Sequence, residues 1–311
     1  MPKSSTFTLR HCQSCDSNSS ETLISIKAQD IANNNWSYRK DFDLLLNISG
    51  NDTFDIVTCS DCGFIYSKQL PNDTFLNILY DQVIDLKRPH ALKLIKHEYP
   101  RRLHYLSIVS HLLNDNSENV KVLDFGAGFG QTSKMMQAQG MQVVAYDTSD
   151  LRCNELSKSG IRVIKTESEI IENGPYALII CDNVLEHVPN PKMVIELFKL
   201  ISKTDTILFI SVPSYEKENR DYCVSNLDMS LNPWEHLNYF DQKHLDAMLS
   251  THGFFPIPAD QLGNNINIGL RHEASLFKRM KNGLATFFRL LSFIRKGVAI
   301  ESVNSRFYRL R

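Results

Sequence analysis

The stretch that decides the fold is Val122-Leu123-Asp124-Phe125-Gly126-Ala127-Gly128-Phe129-Gly130. Residues 120 to 125 are apolar and partly β-branched, which predicts a short, fully buried strand. The three glycines then recur at alternate positions, as expected where a backbone turns sharply and approaches a ligand without Cβ atoms in the way. Residues 131 to 139 predict a helix that ends at Gly140. A second buried strand, at 141 to 146, completes a predicted β-α-β unit.

The second predicted strand ends on Asp147, about 20 residues after Gly126. Rossmann-like nucleotide sites hold the ribose hydroxyls with an acidic side chain at this strand tip. A dinucleotide site needs the spacing G-x-G-x-x-G, because its pyrophosphate sits on the helix N-terminus. The spacing here is G-x-G-x-G. An ordinary glycine-rich turn and a dinucleotide site with slipped spacing are the alternatives.

Asp124 followed by G-x-G-x-G resembles motif I of the class I S-adenosylmethionine (SAM) methyltransferases, which hold the amino-acid tail of SAM over this loop. The segment after the predicted fourth strand also resembles its counterpart in these enzymes, where the first residues line the methionine end of the cofactor. The resemblance implies that SAM is the cofactor. The residues implied in binding it are Asp124, Gly126, Ala127, Gly128, Gly130, Asp147, Thr148, Asp182, Asn183 and Val184.

Short apolar runs alternate with helical patterns from 116 to 270, which predicts an α/β protein with a parallel, Rossmann-like sheet. Ligands of such sheets bind at the carboxyl ends of the strands. A further amphipathic helix is predicted to start at Pro100. The predicted regions are a zinc-binding region (1 to 70), a helical lid or linker (71 to 115), a SAM-binding methyltransferase domain (116 to 270) and a basic amphipathic helical tail (271 to 311).

Two C-x-x-C pairs lie in the first region, Cys12 with Cys15 and Cys59 with Cys62. Two such pairs can supply the four thiolates of a tetrahedral structural zinc site. One pair alone could be a redox pair, but two pairs in one region favour Zn²⁺, and free thiols are the alternative. Cys181 lies in a predicted buried strand and is expected to be a small core residue.

The bulk composition excludes some classes of protein. The 311 residues are 42% hydrophobic and carry a formal net charge of −1. This is an ordinary soluble composition without the basic footprint that nucleic-acid binding requires. The N-terminus lacks the apolar core of a signal peptide, and no run approaches the roughly 18 apolar residues of a membrane span. We therefore expect a cytoplasmic protein with reduced cysteines.

The C-terminal stretch has a different charge balance, with ten Lys/Arg and two Glu from residue 271 onward. Apolar residues recur at helical spacing from 271 to 296 with basic residues between them. This pattern predicts a basic amphipathic helix. It either lies on an anionic membrane surface, at the inner membrane face, or packs on protein. Membrane contact would favour a lipid-linked sugar as substrate.

A second chemically rich stretch is Trp234-Glu235-His236-Leu237-Asn238-Tyr239-Phe240. The unperturbed pKa of histidine, about 6.5, suits proton abstraction near neutral pH. We predict that His236 is the general base and that Glu235 acts with it, the alternative being that His236 only caps or packs. Glu186 and His187 are a second adjacent pair, which we expect to start the following helix instead.

A closer resemblance rests on four features together: the two C-x-x-C pairs, motif I, the N-V-L-x-H-V segment at Asn183 and the E-H-L-x-Y-F segment at Glu235. Over about residues 10 to 270 the chain is similar to sugar C-methyltransferases that act on nucleotide-linked keto-deoxysugars, and to zinc-ribbon methyltransferases of polysaccharide gene clusters. The resemblance implies a sugar acceptor, contacted by the E-H pair, with the histidine as base.

Two departures from that family weaken the assignment of the same sugar. Its further C-terminal α/β domain is not expected within these 311 residues, and its tyrosine-rich segment is represented only by Tyr80-Asp81. C- and O-methylation therefore both stay open, with a tilt toward O-methylation or another glycan precursor. Two rival functions also remain, a zinc-finger RNA methyltransferase and a non-catalytic scaffold with the SAM fold.

Overall fold

The computed structural model describes residues 6–33, 42–49, 53–84, 89–114, 120–216, 220–221, 224, 231–262 and 303–311, with only the backbone at 33, 42, 89–100 and 303–304. The strands are β1 (Phe7–Leu9), β2 (Ser20–Lys27), β3 (Thr53–Cys59), β4 (Ile65–Ser67), β5 (Gln69–Pro71), β6 (Lys121–Phe125), β7 (Gln142–Tyr146), β8 (Arg162–Ile164), β9 (Tyr176–Asp182), β10 (Ser202–Pro213), β11 (Asn238–Tyr239), β12 (Phe254–Pro256) and β13 (Val303–Leu310). The α-helices are α1 (Ala28–Asn33), α2 (Phe42–Ser49), α3 (Asp73–Ile78), α4 (Pro89–Leu112), α5 (Gln131–Ala138), α6 (Asp150–Ser157), α7 (Glu167–Glu172), α8 (Pro191–Leu200) and α9 (Gln242–Ser250). One turn of π-helix (Leu79–Val83) follows α3, and a 3₁₀ turn (Ala259–Gln261) follows β12.

The central sheet has the strand order β12-β13-β10-β9-β6-β7-β8. The five strands from β10 to β8 run parallel, with α5 connecting β6 to β7 as the sequence predicts. Both faces of the sheet are covered, so its strands are apolar on both sides. In β6, for example, Leu123 belongs to one core layer and Val122 to the other, and neither is exposed. The predicted Rossmann-like α/β fold is confirmed.

The last residues of the chain correct the predicted helical tail. Strand β13 inserts between β10 and β12 and runs antiparallel to both. Its side chains alternate between the two core layers: Phe307 packs on Phe209 with ring centroids 4.9 Å apart, and Tyr308 is buried in the opposite layer. The reason is that this stretch pairs with the edge of β10, where the adjacent Phe307 and Tyr308 give each core layer one buried aromatic ring. The predicted amphipathic helix at 271 to 296 lies outside the described residues.

The long helix α4 corrects a second boundary. The sequence predicts a helix that starts at Pro100, but α4 begins at Pro89 and continues through Pro100. A proline inside a helix removes one backbone hydrogen bond without necessarily ending the helix. Helix α7 was also not predicted. It starts with a capping box in which Thr166 and Glu169 bond each other's backbone N–H groups.

Residues 1 to 70, called the cysteine region below, contribute to a second sheet with the order β2-β3-β4-β11. Three of its strands come from the first 70 residues, but β11 comes from the segment that contains Glu235 and His236. The cores are also continuous, because Cys12, Cys59 and Phe64 pack in the same layer as residues of the central sheet. The cysteine region is therefore built onto the segment that carries the predicted base.

Within the described ranges, every helix is too short or too polar to cross a bilayer.

Candidate active site

The glycine loop follows β6, at the carboxyl edge of the sheet. Gly126, Gly128 and Gly130 all have positive φ angles, of 76°, 58° and 69°, which glycine adopts without a steric penalty. A Cβ on Gly126 would overlap Val184, and a Cβ on Gly130 would overlap Leu156. A Cβ on Gly128 would meet no described atom within 4 Å. Two glycines therefore serve packing, whereas Gly128 borders open space.

Asp147 lies beside this loop, at the tip of β7, and only 4% of its surface is exposed. One carboxylate oxygen accepts the Gly128 N–H at 2.8 Å and the other accepts the Ser149 N–H at 2.9 Å. The guanidinium of Arg152 lies 3.8 Å away. Two hydrogen bonds and a cation thus orient the carboxylate toward the glycine loop. Thr148, the next residue, is exposed.

Asp124 supports the loop from beneath. Its buried carboxylate accepts the hydroxyl of Ser133 on α5, which joins β6 to the helix that starts at the third glycine. Burial raises the pKa of Asp124 to about 6, and the Ser133 hydrogen bond offsets part of this rise. Asp124 is therefore a structural support of the loop in this arrangement.

The segment after β9 forms the other wall. Asn183 has a positive φ of 55°, and its N–H bonds the Ser211 carbonyl at 2.8 Å. Such a conformation in a non-glycine residue stores strain, which is common at functional sites. Both oxygens of Asp182 accept the guanidinium of Arg101, at 3.0 and 2.9 Å. The structure thus brings the Asp182 segment and the glycine loop to one edge of the sheet, with α4 placed across it.

The four predicted zinc ligands come together. The Sγ atoms of Cys12 and Cys62 are 3.7 Å apart, those of Cys15 and Cys59 are 3.5 Å apart, and all four thiols lie within 4.8 Å of one another. Tetrahedral Zn–S bonds of about 2.3 Å would separate the sulfurs by roughly 3.8 Å. Burial opposes the thiolate of Cys59, but N–H groups of Cys62 and Asp61 lower its pKa to about 7. The donor set fits Zn²⁺. Of the other cysteines, Cys153 and Cys181 are buried and free, as expected for Cys181, and Cys223 lies outside the described residues.

His236 lies two residues before β11, and Glu235 beside it is 6% exposed. The Nδ1 atom of His236 is 3.4 Å from the Tyr215 hydroxyl, and its carbonyl accepts the buried hydroxyl of Ser67 at 2.9 Å. Both the side chain and the backbone of His236 are therefore fixed by residues of other elements.

Three residues that the sequence did not single out as catalytic complete this cluster. The ring of His187 packs edge-on against His236, with centroids 4.8 Å apart. Its Nδ1 lies 2.9 Å from the Glu235 carbonyl and 3.1 Å from the Tyr80 hydroxyl. Glu186 is 1% exposed, with a carboxylate oxygen 3.7 Å from Nε2 of His187. The expectation that Glu186 and His187 start α8 is wrong, because Asn190 caps that helix and the pair lies in the preceding turn.

The cluster also has the spacing of a cation site. Glu186, His187 and His236 each offer one ligand atom, and these atoms lie within 4.8 Å of one another. The contact of His187 Nδ1 with a backbone carbonyl is the arrangement that orients histidine ligands around metals. The π-helix connects this cluster to the glycine-loop side, since it presents Tyr80 to His187 and Asp81 to Ser149, whose hydroxyl is 2.9 Å away.

Comparison with known proteins agrees with this geometry. The chain is 30% identical over 148 residues to a ubiquinone biosynthesis O-methyltransferase of Glaesserella parasuis, covering 42% of this chain and 57% of that protein. It is 31% identical over 104 residues to the enzyme of the same name from Actinobacillus pleuropneumoniae, covering 29% and 44%. The chain thus spans about half the length of the curated relatives it matches.

A solved structure of magnesium protoporphyrin IX methyltransferase from Synechocystis PCC 6803 superposes with a TM-score of 0.42 and 16% identity, covering 61% of this chain and 80% of that one. The profile of the methyltransferase-domain family matches residues 95 to 257, just over half of the chain. This match contains β6 to β12, the glycine loop, Asp147 and the His236 cluster. The chain therefore belongs to the methyltransferase-domain family and has a Rossmann-like α/β methyltransferase fold.

Proposed function

We propose that this protein transfers a methyl group from SAM to a small-molecule acceptor, with His236 as the general base. The observation that carries the proposal is the position of the His236 cluster. Glu186 and His187 of this cluster lie on the segment after β9, which also forms one wall of the glycine-loop site, and His236 packs against His187. A methyl donor on the loop and an acceptor at the cluster would therefore be neighbours.

The residues at the loop fit the cofactor. Open space next to Gly128 leaves room for a ligand against the backbone, and the buried carboxylate of Asp147 can accept ribose hydroxyls once it gives up the Gly128 N–H. Gly126, Ala127, Gly130 and Thr148 would complete this side. Asn183, Val184 and the Arg101–Asp182 pair would meet the methionine end. When bound, SAM supplies a methyl group on a sulfonium, which is already a good leaving group.

The chain's own contribution is alignment and proton removal. Alignment of the reacting groups can contribute on the order of 7–11 kcal/mol, and a positioned base adds roughly 10²–10⁴-fold. His236 would accept the proton of an acceptor hydroxyl, or the α-proton of a keto sugar. The Tyr215 hydroxyl at its Nδ1 and the buried Glu235 next to it would hold the ring in place.

The acceptor is proposed to be a hydroxyl of a sugar or glycan precursor, free or lipid-linked. The E-H-L-x-Y-F segment supports a sugar, and the relatives named O-methyltransferases support oxygen as the methylated atom. The rivals are C-methylation of a keto sugar and O-methylation of a phenolic ring. Zn²⁺ in the four-cysteine site is proposed to be structural, since all four positions are taken by thiols.

The test is a methyl-transfer screen by mass spectrometry. The full-length protein is incubated with SAM and three acceptor sets: nucleotide-linked deoxysugars, polyprenyl-linked sugars and dihydroxybenzoates. A mass gain of one methyl group in either sugar set, abolished in His236→Gln, is the expected result. Methylation of the dihydroxybenzoates alone would overturn the sugar assignment. Absence of SAM binding in calorimetry would overturn the activity itself and favour a scaffold.

A second role for the cluster follows from its spacing. A divalent cation held by Glu186, His187 and His236 could lower the pKa of an acceptor hydroxyl. A nitrogen bound to a cation cannot also take a proton, so the two roles of His236 exclude each other. If activity is lost in a weak Mg²⁺ chelator and restored by added Mg²⁺ with the four-cysteine site still loaded, the cation role is correct and the base role is wrong.

A further inference from the structure

The segment that carries His236 is held from two sides. The Glu186 carbonyl accepts the N–H groups of Leu237 and Asn238, and the cysteine region supplies the second set of contacts. Strand β11 pairs with β4, with Asn238 opposite Tyr66 and Tyr239 opposite Ile65. Ser67 then bonds this segment twice, from its N–H to the Leu237 carbonyl at 3.0 Å and from its hydroxyl to the His236 carbonyl. The position of His236 therefore depends on a region that the methyltransferase profile does not cover.

Arg10 extends this support to the second histidine. Its guanidinium donates to the Leu237 carbonyl at 3.1 Å, to Oδ1 of Asn238 at 2.6 Å and to the Pro189 carbonyl at 3.1 Å. The first two acceptors belong to the His236 segment, and the third lies two residues after His187. One buried side chain thus bridges the two segments that carry the facing histidines.

Asn238 completes the bridge. While its Oδ1 accepts Arg10, its Nδ2 donates to the carbonyls of Leu185 and Val188, at 3.1 and 2.8 Å. Asn238 is fully buried, so these bonds satisfy the side chain away from water. Leu185 and Val188 flank Glu186 and His187 along the chain. Arg10 therefore holds the turn of His187 both directly and through Asn238.

The cost of this arrangement argues that it serves more than stability. Arg10 is 7% exposed, its three acceptors are uncharged oxygens, and its Nε has no hydrogen-bond partner among the described residues. A buried cation without a paired anion is expensive, and an apolar side chain of similar volume would be cheaper.

We infer that Arg10 is a positioning residue, which fixes the spacing of His187 and His236 and links it to the four-cysteine site that begins two residues later. The inference rests on the proposed function of the cluster. Loading of the cysteine site would fix the chain around Cys12 and so the start of the Arg10 side chain. The cysteine region would then set the geometry of the acceptor end without contributing a group to the chemistry.

Lys68 offers a matched control. Its ammonium also lies over the ring of Tyr66, at 5.9 Å from the centroid against 5.4 Å for Arg10, and it bonds Ser20. Lys68→Met thus removes a cation from the same part of the cysteine region without touching either histidine segment. Arg10→Met removes the hydrogen bonds of Arg10 to both histidine segments. Arg10→Lys keeps the positive charge but loses the planar guanidinium that donates to several acceptors at once.

The experiment compares imidazole NMR signals in the full-length, metal-loaded protein. Signals of His187 and His236 are assigned with the His187→Gln and His236→Gln variants, and His252 serves as internal reference. Arg10→Met is expected to shift both active-site signals, Arg10→Lys to shift them less, and Lys68→Met to leave them in place. Calorimetry should show unchanged SAM binding in all three. With an acceptor identified, kcat should fall by up to roughly 10²-fold in Arg10→Met, as for a misplacement of about 1 Å.

Two results would overturn the inference. If Arg10→Met leaves both imidazole signals unchanged, the bridge does not set their geometry. If Arg10→Met and Arg10→Lys both lose the metal or a folded spectrum, Arg10 is a folding residue and not a positioning residue. Neither result depends on the acceptor. Absence of SAM binding by the wild-type protein would contradict the proposed function instead, so the two failures are distinguishable.

Discussion

The two ends of the site are built in different ways. The ribose side of the proposed cofactor end comes from one contiguous β-α-β unit, in which Gly128 and Asp147 meet because β6 and β7 are neighbouring parallel strands. The acceptor end is assembled from segments around residues 10, 67, 80, 187, 215 and 236. The first end is local and tolerant of changes elsewhere. The second depends on the cysteine region being folded.

This difference predicts that damage to the two ends can be separated. A change in the cysteine region should disturb the histidines and leave SAM binding intact, whereas a change at the strand tips should weaken SAM binding and leave the histidines in place.

Removal of the proposed Zn²⁺ should have the largest effect. Structural zinc contributes on the order of 10–16 kcal/mol in zinc-finger peptides, so a strong chelator should unfold the cysteine region and release β11. The expected result is loss of the near-ultraviolet circular dichroism of the buried Trp234, together with loss of methyl transfer. SAM binding by calorimetry should persist. Cys15→Ser should behave like the chelated protein and Cys153→Ser like the untreated one. If elemental analysis finds no zinc in the purified protein, this prediction is wrong.

His236→Gln should lower kcat by roughly 10²–10⁴-fold, the range expected for loss of a positioned base. Glutamine keeps a polar side chain of similar size, so the fold and SAM affinity should be unchanged. His252→Gln is the control, because His252 caps the end of α9 through the Met248 carbonyl and takes no part in the cluster. Steady-state kinetics on the identified acceptor give the answer, and equal activity in both variants would contradict the base assignment.

Asp147→Asn should weaken SAM binding by roughly 10- to 100-fold, since hydrogen bonds to a charged group contribute about 1.5–3 kcal/mol. The asparagine cannot accept through both side-chain atoms, so the ribose contact and the Ser149 contact compete for one oxygen. The imidazole signals of His187 and His236 should not move. Asp150→Asn, at an exposed carboxylate paired with Lys165, is the matched control. Unchanged affinity measured by calorimetry would place the ribose elsewhere.

The smallest effect is expected for Asp124→Asn, which should change how the free energy of unfolding depends on pH. Burial raises the folded-state pKa of Asp124 to about 6. The folded state therefore binds the proton more tightly than the unfolded state, and wild-type stability is lost as pH rises from about 4 to 6. The free energy of unfolding of the variant minus that of the wild type should therefore increase by about 1 kcal/mol between pH 5 and pH 7.5.

Urea unfolding at the two pH values measures this change. Ser133→Ala is the matched variant, because it removes the donor to Asp124 and should increase the wild-type pH dependence. If the free energy of unfolding depends on pH equally in Asp124→Asn and in the wild type, folding does not raise the pKa of Asp124.

The sequence predicted most of the central fold, because its signals are local. Apolar runs marked β6, β7 and β9, and the alternate glycines marked the turn after β6. It did not predict β13, because a strand that returns from the end of the chain is specified by the free edge of β10 and not by its neighbours in sequence.

Sequence alone was enough for the ribose side of the proposed cofactor end, because motif I and Asp147 need only adjacent parallel strands to meet. It also predicted the four cysteine ligands from their spacing, although the two pairs face one another only through the pairing of β2 with β3. The tertiary structure alone decided the acceptor end. Tyr80, His187, Tyr215 and His236 have no common spacing in the sequence, and Arg10 is more than 170 residues from each of its acceptors. Their meeting depends on how the cysteine region packs against the sheet, which long-range burial sets and local pattern does not.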